Sequence, residues 1–165
     1  MRKNFAKILF EEMCSEEGKK FVLLTADMGY GIWDNIRDKF PDQFYNVGAA
    51  EQLMIGMAAG FALEGKIPIC YSITPFLLYR PFELIRNYMH IEKLPIKLVG
   101  SGRNKDYGYL GYTHWADEDS AIMLKLHNIS ISYPLASDDL TSKPIISQIR
   151  QMLHHPAPYY INLKK

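Results

Sequence analysis

Short apolar runs alternate with stretches of helical periodicity along the chain, and their order predicts a parallel sheet flanked by helices. Near the start, Phe5, Ile8 and Leu9 recur at the spacing of one helix face. The run FVLLTAD that follows is almost continuously apolar, which is typical of a strand buried on both faces. The whole pattern predicts strands over 21–27, 44–48, 66–73, 95–102, 129–134 and 158–163, and helices over 3–17, 35–40, 49–63, 81–92, 116–127 and 138–155.

Strands and helices thus alternate six times, which predicts an α/β fold of three layers with helices on both faces of a mostly parallel sheet. The 165 residues fit a single domain, which we expect to span 1–165. Functional residues of such sheets gather at the carboxyl ends of the strands. Asp27 and the stretches 48–51, 72–76 and 100–114 all follow predicted strands, so we expect one site at that edge.

Composition and charge exclude several classes of protein. The formal net charge is +1, from 19 basic and 18 acidic residues, so we expect neither nucleic acid nor an anionic membrane as a partner. The longest apolar run, over 54–63, is too short to span a bilayer. Cys14 and Cys70 match no metal spacing, and the first residues lack the apolar core of a signal peptide. These features predict a cytoplasmic protein with reduced thiols and no metal cluster of its own.

One carboxylate, Glu51, lies near the start of the otherwise apolar or small segment YNVGAAEQLMIGMAAGFALEG. The simpler interpretation is an acid that complements a helix N-terminus. The functional interpretation is a carboxyl that shares a proton with a ligand nitrogen in apolar surroundings. The small residues around Glu51 favour the second interpretation, because an acid that needs only the helix dipole does not require them.

Two further segments carry candidate chemistry. His114 lies in the loop sequence GYLGYTHW, where it is either a solvated surface group or, because it follows a strand, part of a site. The segment TPFLLYRPFELIRN also follows a strand, and its apolar and aromatic side chains either pack in the core or line a pocket for a heteroaromatic ring. Neither of the glycine-rich fingerprints for binding phosphates occurs.

Taken in order, these segments resemble the pyrimidine-binding domain of the transketolase family, whose members use thiamine diphosphate. The most specific part is NVGAAEQLMIGMAAGFALEGKIPICYSI, which is similar to the family's strand, its Glu-Gln helix start and the strand that follows. TADMG, GYTHW and HNISISYPLASDDL resemble other family segments in the family's order. The resemblance covers residues 5–165 and implies the thiamine diphosphate-binding fold of a pyrimidine domain.

The resemblance also implies roles for individual residues. In the family, the glutamate of this helix start hydrogen-bonds a nitrogen of the cofactor's aminopyrimidine ring and so activates the cofactor. Carried over, Glu51 is the catalytic activator, His114 is a catalytic residue facing the substrate, and Asp27 lies near the cofactor. The implied wall around the pyrimidine and the substrate consists of Phe76, Leu77, Tyr79 and Arg80.

Two departures from the family shape the expected assembly and substrate. Family members hold diphosphate and Mg²⁺ with a Gly-Asp-Gly…Asn motif on a separate domain, and nothing like that motif occurs in this sequence. We therefore expect a separate diphosphate-binding subunit that holds most of the Mg²⁺ site, in a heterotetramer with two copies of each chain (α2β2). Leu110 stands where the family's loop carries an acid expected to bind a substrate hydroxyl, and Trp115 stands where the family often has Gln. Both changes suggest an altered or less polar substrate.

Three functions stay open on the sequence. The first is two-carbon ketol transfer on a small sugar, and the second is the joining of a 2-oxoacid to an aldehyde with decarboxylation, as in deoxyxylulose-phosphate synthases. The third is a non-catalytic interaction domain that retains the fold, to which Leu110 lends some weight. Retention of both Glu51 and His114 argues against the third, but it does not separate the first two.

Overall fold

The centre of the molecule is a six-stranded parallel sheet. A computed structural model describes residues 1–134 and 143–165 of the chain. The strands are β1 (Phe21–Thr25), β2 (Phe44–Asn46), β3 (Ile67–Ile73), β4 (Lys97–Ser101), β5 (Ser130–Ser132) and β6 (Tyr159–Leu163). Their spatial order is β2-β1-β3-β4-β6-β5, and all adjacent pairs are parallel. β2 pairs with one side of β1 and β3 pairs with the other side, so the direction of strand addition reverses between β1 and β3. In such sheets, ligands bind at the carboxyl ends of the strands at this switch point.

Helices cover both faces of this sheet. They are α1 (Arg2–Met13), α2 (Asp34–Lys39), α3 (Glu51–Leu63), α4 (Thr74–Tyr79), α5 (Phe82–Leu84), α6 (Asp119–Met123) and α7 (Lys143–His154). α5 continues into a π-helical segment, Ile85–Ile91. Short 3₁₀ turns lie at Glu16–Lys20, Pro41–Gln43, Gly108–Leu110 and Tyr112–His114.

Alternation of side chains along each strand builds a separate core on each face. Leu23 of β1 packs on the face covered by α1 and α7, in a cluster that includes Phe5 and Leu9. Its neighbour Leu24 packs on the opposite face, in a cluster with Met54 and Ile55 of α3. Every residue of β1 is buried, which is the physical reason that this stretch of sequence is continuously apolar rather than alternating.

The predicted three-layer α/β fold is confirmed, while several element boundaries differ. The helix predicted over 3–17 ends at Met13, and the strands are shorter than predicted. An unpredicted helix, α4, directly follows β3. Pro75 suits its first turn, and α4 ends just before Pro81, because proline lacks the N–H that a helix interior needs.

Two predicted helices are shorter than expected. The one over 116–127 is reduced to α6. The one over 138–155 is represented by α7, and its predicted first turn at 138–142 lies outside the described residues. Within the described part of the chain, none of the helices has the length and apolar character needed to cross a bilayer.

Candidate active site

Four neighbouring strand ends carry the residues singled out from the sequence. Asp27 follows β1, Glu51 follows β2, Phe76 follows β3, and His114 lies in the loop that follows β4. Because these strands are parallel neighbours in the sheet, their carboxyl ends meet at one edge. Several of these side chains contact one another there, and others do not.

Glu51 is a buried acid with two partners. It is the first residue of α3 and is 2% exposed. Arg80 donates from Nη1 to its Oε2 at 2.8 Å, and the Ser72 hydroxyl lies 3.4 Å from its Oε1. The N-terminus of α3 adds a favourable dipole, so this carboxylate is compensated from three directions.

Arg80, which the resemblance placed in the wall of the site, pairs with Glu51, a contact that the sequence did not predict. Its side chain is 48% exposed, and its guanidinium carbon lies 3.9 Å from the centroid of the Phe76 ring. Phe76 and Arg80 are four residues apart at the end of α4, which brings them to the same side of the chain. An open cavity of about 400 Å³ adjoins the ion pair and is lined by Ala49, Ala50, Glu51, Gln52, Leu53 and Arg80.

His114 also contacts Phe76. The two ring centroids lie 4.8 Å apart in an edge-on arrangement, and Nδ1 of His114 is 3.0 Å from the Thr113 hydroxyl. The loop that carries His114 is anchored by Tyr107, whose hydroxyl bonds to the Ser101 hydroxyl at 2.9 Å. Gly102 has a φ of 87° and lies directly against the Tyr107 ring, where a Cβ would collide with it. The loop therefore leaves β4 in a defined direction.

Asp27 organises a neighbouring part of the edge. Its φ of 52° lies in the left-handed region, and its N–H donates to Oδ1 of Asn46 at 2.9 Å. A hydrogen bond from the Tyr30 hydroxyl, followed by one from Asn46, lowers the pKa of the Asp27 carboxyl. Asn46 also accepts the N–H of Gly48 at 3.1 Å, so the ends of β1 and β2 are tied together just before α3 begins.

Two other residues of the predicted wall point elsewhere. Leu77 is fully buried in the core on the α3 face of the sheet. The Tyr79 hydroxyl donates to Glu118 at 3.3 Å, and burial, then the nearby Glu118 charge, raises the pKa of Tyr79. The structure therefore brings together Glu51, Arg80, Phe76 and His114, whereas Asp27, Leu77 and Tyr79 make contacts outside that group. Their assignment to the cofactor stays a prediction.

A buried polar cluster beneath the loop escaped the sequence analysis. Asp119, 4% exposed, accepts hydrogen bonds from the Tyr160 hydroxyl at 2.7 Å and from Nδ2 of Asn162 at 2.6 Å. The only signal in the sequence was an acid in the first turn of a predicted helix, which the helix dipole alone explains. The Thr74 hydroxyl donates to the carbonyl of Gly102 at 2.8 Å and joins α4 to the base of the loop.

Within residues 1–134 and 143–165, no group of three or more His, Cys, Asp or Glu side chains is arranged to hold a metal ion. The polar side chains in contact with Glu51 are the Arg80 guanidinium and the Ser72 hydroxyl.

Comparison with known proteins gives consistent matches. The sequence pattern of the family described as "Transketolase, pyrimidine binding domain" matches residues 1–165. A "Putative transketolase C-terminal section" from Methanocaldococcus jannaschii is 35% identical, over 100% of this chain and 50% of that protein. A "1-deoxy-D-xylulose-5-phosphate synthase" from Methylacidiphilum infernorum is 31% identical, over 97% of this chain and 25% of that protein.

A solved structure is similar over nearly the whole chain. It is described as "Split gene transketolase, inactive beta4 tetramer" and superposes with a TM-score of 0.81 at 30% identity. The superposition covers 99% of this chain and 50% of that chain. The chain therefore spans half or less of the length of these relatives.

Proposed function

The chain belongs to the transketolase family through its pyrimidine-binding domain, and from this membership we propose that it supplies the ring-binding half of a thiamine diphosphate-dependent transferase. The proposed reaction is transfer of a two-carbon ketol unit on a sugar substrate. The observation that carries the proposal is the buried Glu51 carboxylate, which adjoins an open cavity between small side chains.

The residues around Glu51 fit an aminopyrimidine ring. Such a ring needs a carboxyl at one nitrogen and apolar groups along its faces, and the cavity offers Glu51 together with Ala49, Ala50 and Leu53. When bound, thiamine diphosphate would supply the nucleophilic carbon for breaking and forming carbon–carbon bonds. Glu51 would hold the proton that it shares with the ring nitrogen, and exclusion of water would strengthen that hydrogen bond.

His114 is proposed to act on the substrate side. Its imidazole packs edge-on against Phe76, and the Thr113 hydroxyl lies within hydrogen-bonding distance of Nδ1. This arrangement leaves Nε2 as the nitrogen available to a substrate oxygen. An imidazole nitrogen can both accept and donate a proton, which suits Nε2 to general acid–base catalysis on that oxygen.

The diphosphate and Mg²⁺ are proposed to be held by a separate subunit, with two copies of each chain in the assembly. The proposal is supported by the split-gene relative and by the short span of this chain on its relatives. The outer face of α3 also favours it, since Leu53 is 55% and Leu63 is 73% exposed. A helix that is apolar on nearly all sides is suited to burial, and a partner that covers α3 would also enclose the Glu51 cavity.

The substrate is proposed to be less polar than an ordinary ketose phosphate. Leu110 is exposed on the loop before His114, at the position where the resemblance leads one to expect an acid, and Tyr109 and Tyr112 beside it are exposed as well. The similarity to a deoxyxylulose-phosphate synthase favours a second candidate, a decarboxylating 2-oxoacid/aldehyde carboligase. A cytoplasmic location stays an expectation from the sequence.

Reconstitution tests these alternatives directly. The chain is mixed with a subunit that carries the Gly-Asp-Gly…Asn motif, thiamine diphosphate and Mg²⁺, and a ketose or pyruvate is offered as donor with a common aldehyde acceptor. Two-carbon extension from the ketose without release of CO₂ would support ketol transfer, whereas CO₂ release from pyruvate would support the carboligase. A stable complex that turns over neither donor would favour the non-catalytic interaction domain.

A further inference from the structure

The Arg80 guanidinium covers the part of Glu51 that a ligand would need. The carboxylate is 2% exposed, so nearly all of its surface faces protein. Its Oε1 lies near the buried Ser72 hydroxyl, and its Oε2 accepts Nη1 of the half-exposed Arg80. The approach to Oε2 from the cavity therefore passes through the place that the guanidinium occupies.

The same guanidinium also covers a face of Phe76. Its central carbon lies 3.9 Å from the ring centroid, while His114 contacts the Phe76 ring edge-on at 4.8 Å. A planar group thus bonds to the buried carboxylate and stacks on an aromatic ring at the same time. These are the two contacts that a flat heteroaromatic ring with a ring nitrogen would make here.

We propose that Arg80 is a positioning residue that occupies the ring site of the ligand-free chain and must swing away before the aminopyrimidine can bind. The inference rests on the proposed function. Movement of one side chain frees Oε2 of Glu51 and uncovers Phe76 together, so the two halves of the ring site open as a unit. Arg80 thereby keeps the buried carboxylate compensated until a ligand replaces it, since an unpaired charge in that position is costly.

The structure explains why this contact can open. Arg80 directly precedes Pro81 at the end of α4, so its backbone is constrained while its long side chain is free to change rotamer. The Arg80 side chain is half-exposed, so the guanidinium can be hydrated when it leaves Glu51, and ion pairs with a solvent-exposed partner are weak. The apparent affinity for a ligand is the affinity of the open state multiplied by the fraction of molecules that are open. A site that is open about one-tenth of the time therefore binds about tenfold more weakly than a permanently open one.

The first part of the test needs no ligand. Unfolding midpoints are compared for the wild-type chain, Arg80→Met, Glu51→Gln and the double variant. If the ion pair holds Glu51 as proposed, the double variant is destabilised less than the sum of the two single variants. If the shifts of the unfolding midpoint in the two single variants add up to the shift in the double variant, the inference is wrong, independently of any ligand.

The second part measures binding of thiamine, which lacks the diphosphate that a partner would hold, by NMR chemical-shift titration of the 165-residue chain. Arg80→Met is expected to bind thiamine about tenfold more tightly than the wild type. Arg86→Met, which removes an exposed arginine bonded only to the neighbouring Asn87 in the described contacts, serves as the matched control and should bind as the wild type does. Equal or weaker binding by Arg80→Met would overturn the inference.

A further variant keeps the test decisive if Arg80→Met does not fold. Arg80→Lys retains a cation for Glu51 but loses the planar group on Phe76, so it should also bind thiamine more tightly, by a smaller factor. If wild-type binding depends on Glu51 and neither Arg80 variant binds more tightly, the inference fails and the proposed function survives. If Glu51→Gln leaves thiamine binding unchanged both in the wild-type chain and in the Arg80 variants, the proposed function is wrong, and so is the proposed displacement of Arg80.

Discussion

The ring of Phe76 contacts both His114, with the two ring centroids 4.8 Å apart in an edge-on arrangement, and Arg80, whose guanidinium carbon lies 3.9 Å from the Phe76 centroid. Phe76 belongs to α4, which follows β3, and His114 belongs to the loop that follows β4. The contact therefore joins segments from two neighbouring strand ends. Through Phe76, the imidazole of His114 lies close to the guanidinium that pairs with the buried acid Glu51.

The first prediction concerns Glu51. Glu51→Gln should lower turnover of the reconstituted enzyme by about 10²–10⁴-fold, because an amide keeps the shape of the side chain but cannot share a proton with the ring nitrogen. Folding should be retained, since Arg80 is half-exposed and can hydrate when its counter-charge is lost. Steady-state rates and a circular dichroism melt check both outcomes. Glu92→Gln, an exposed acid away from the cavity, is the control, and a fully active Glu51→Gln enzyme would reject the mechanism.

The second prediction separates the role of His114 from that of Glu51. His114→Asn should reduce kcat by about 10²-fold through loss of a proton-transfer group, while the apparent affinity for thiamine diphosphate changes little. The reason is that His114 contacts Phe76 and Tyr107, and no described contact links it to Glu51. His127→Asn, at an exposed histidine, should leave both quantities unchanged. A large loss of cofactor affinity with kcat intact would assign His114 to the cofactor side instead.

The third prediction tests the polar cluster beneath the loop. Asp119→Asn should lower the free energy of unfolding by about 1–3 kcal/mol, because hydrogen bonds from Tyr160 and Asn162 to a buried carboxylate are stronger than those to an amide. Denaturant midpoints measure the change. Asp117→Asn removes a more exposed acid 3.7 Å from Lys105 and should cost much less. Equal effects of the two substitutions would argue against the cluster as a source of stability.

The fourth prediction is a dependence of stability on pH that comes from Lys97. This side chain is fully buried at the start of β4, and its Nζ donates to the carbonyls of His155 at 2.5 Å and Ala157 at 2.7 Å. Burial lowers the pKa of Lys97 to about 7, whereas an unfolded lysine titrates near about 10.4. Between these values the unfolded chain binds a proton that the native chain lacks, so the free energy of unfolding should rise with pH across that window.

Lys97→Met provides the comparison for this prediction. It should remove the contribution of Lys97 to the pH dependence of the free energy of unfolding, which is at most about 1.4 kcal/mol per pH unit between about pH 7 and 10. The plot of this free energy against pH should therefore be flatter in that range. Lys125→Met, at an exposed lysine, should keep the wild-type slope. Parallel profiles for the wild type and Lys97→Met in urea titrations at several pH values would contradict the shifted pKa.

The apolar pattern by itself determined the fold class and the edge of the sheet that carries the candidate site. Buried parallel strands need continuous apolar runs, and helices that cover them need one apolar face, so both signals are local and can be read along the chain. Glu51 and His114 follow strands in the sequence, and parallel pairing brings such positions to one edge. Element boundaries were less well predicted, as α4 and the π-helical segment illustrate, because Pro75 and Pro81 divide one stretch into several turns.

Tertiary structure alone decided which side chains meet. Glu51 and Arg80 are 29 residues apart, and their pairing depends on the order of β1, β2 and β3 and on the direction in which α4 leaves the sheet. The fate of the adjacent wall residues Phe76 and Leu77 likewise depends on helix phase, which turns Leu77 into the core and leaves Phe76 beside Arg80 and His114. Such contacts arise from strand order and side-chain direction in three dimensions, and the periodicity of a single segment carries neither.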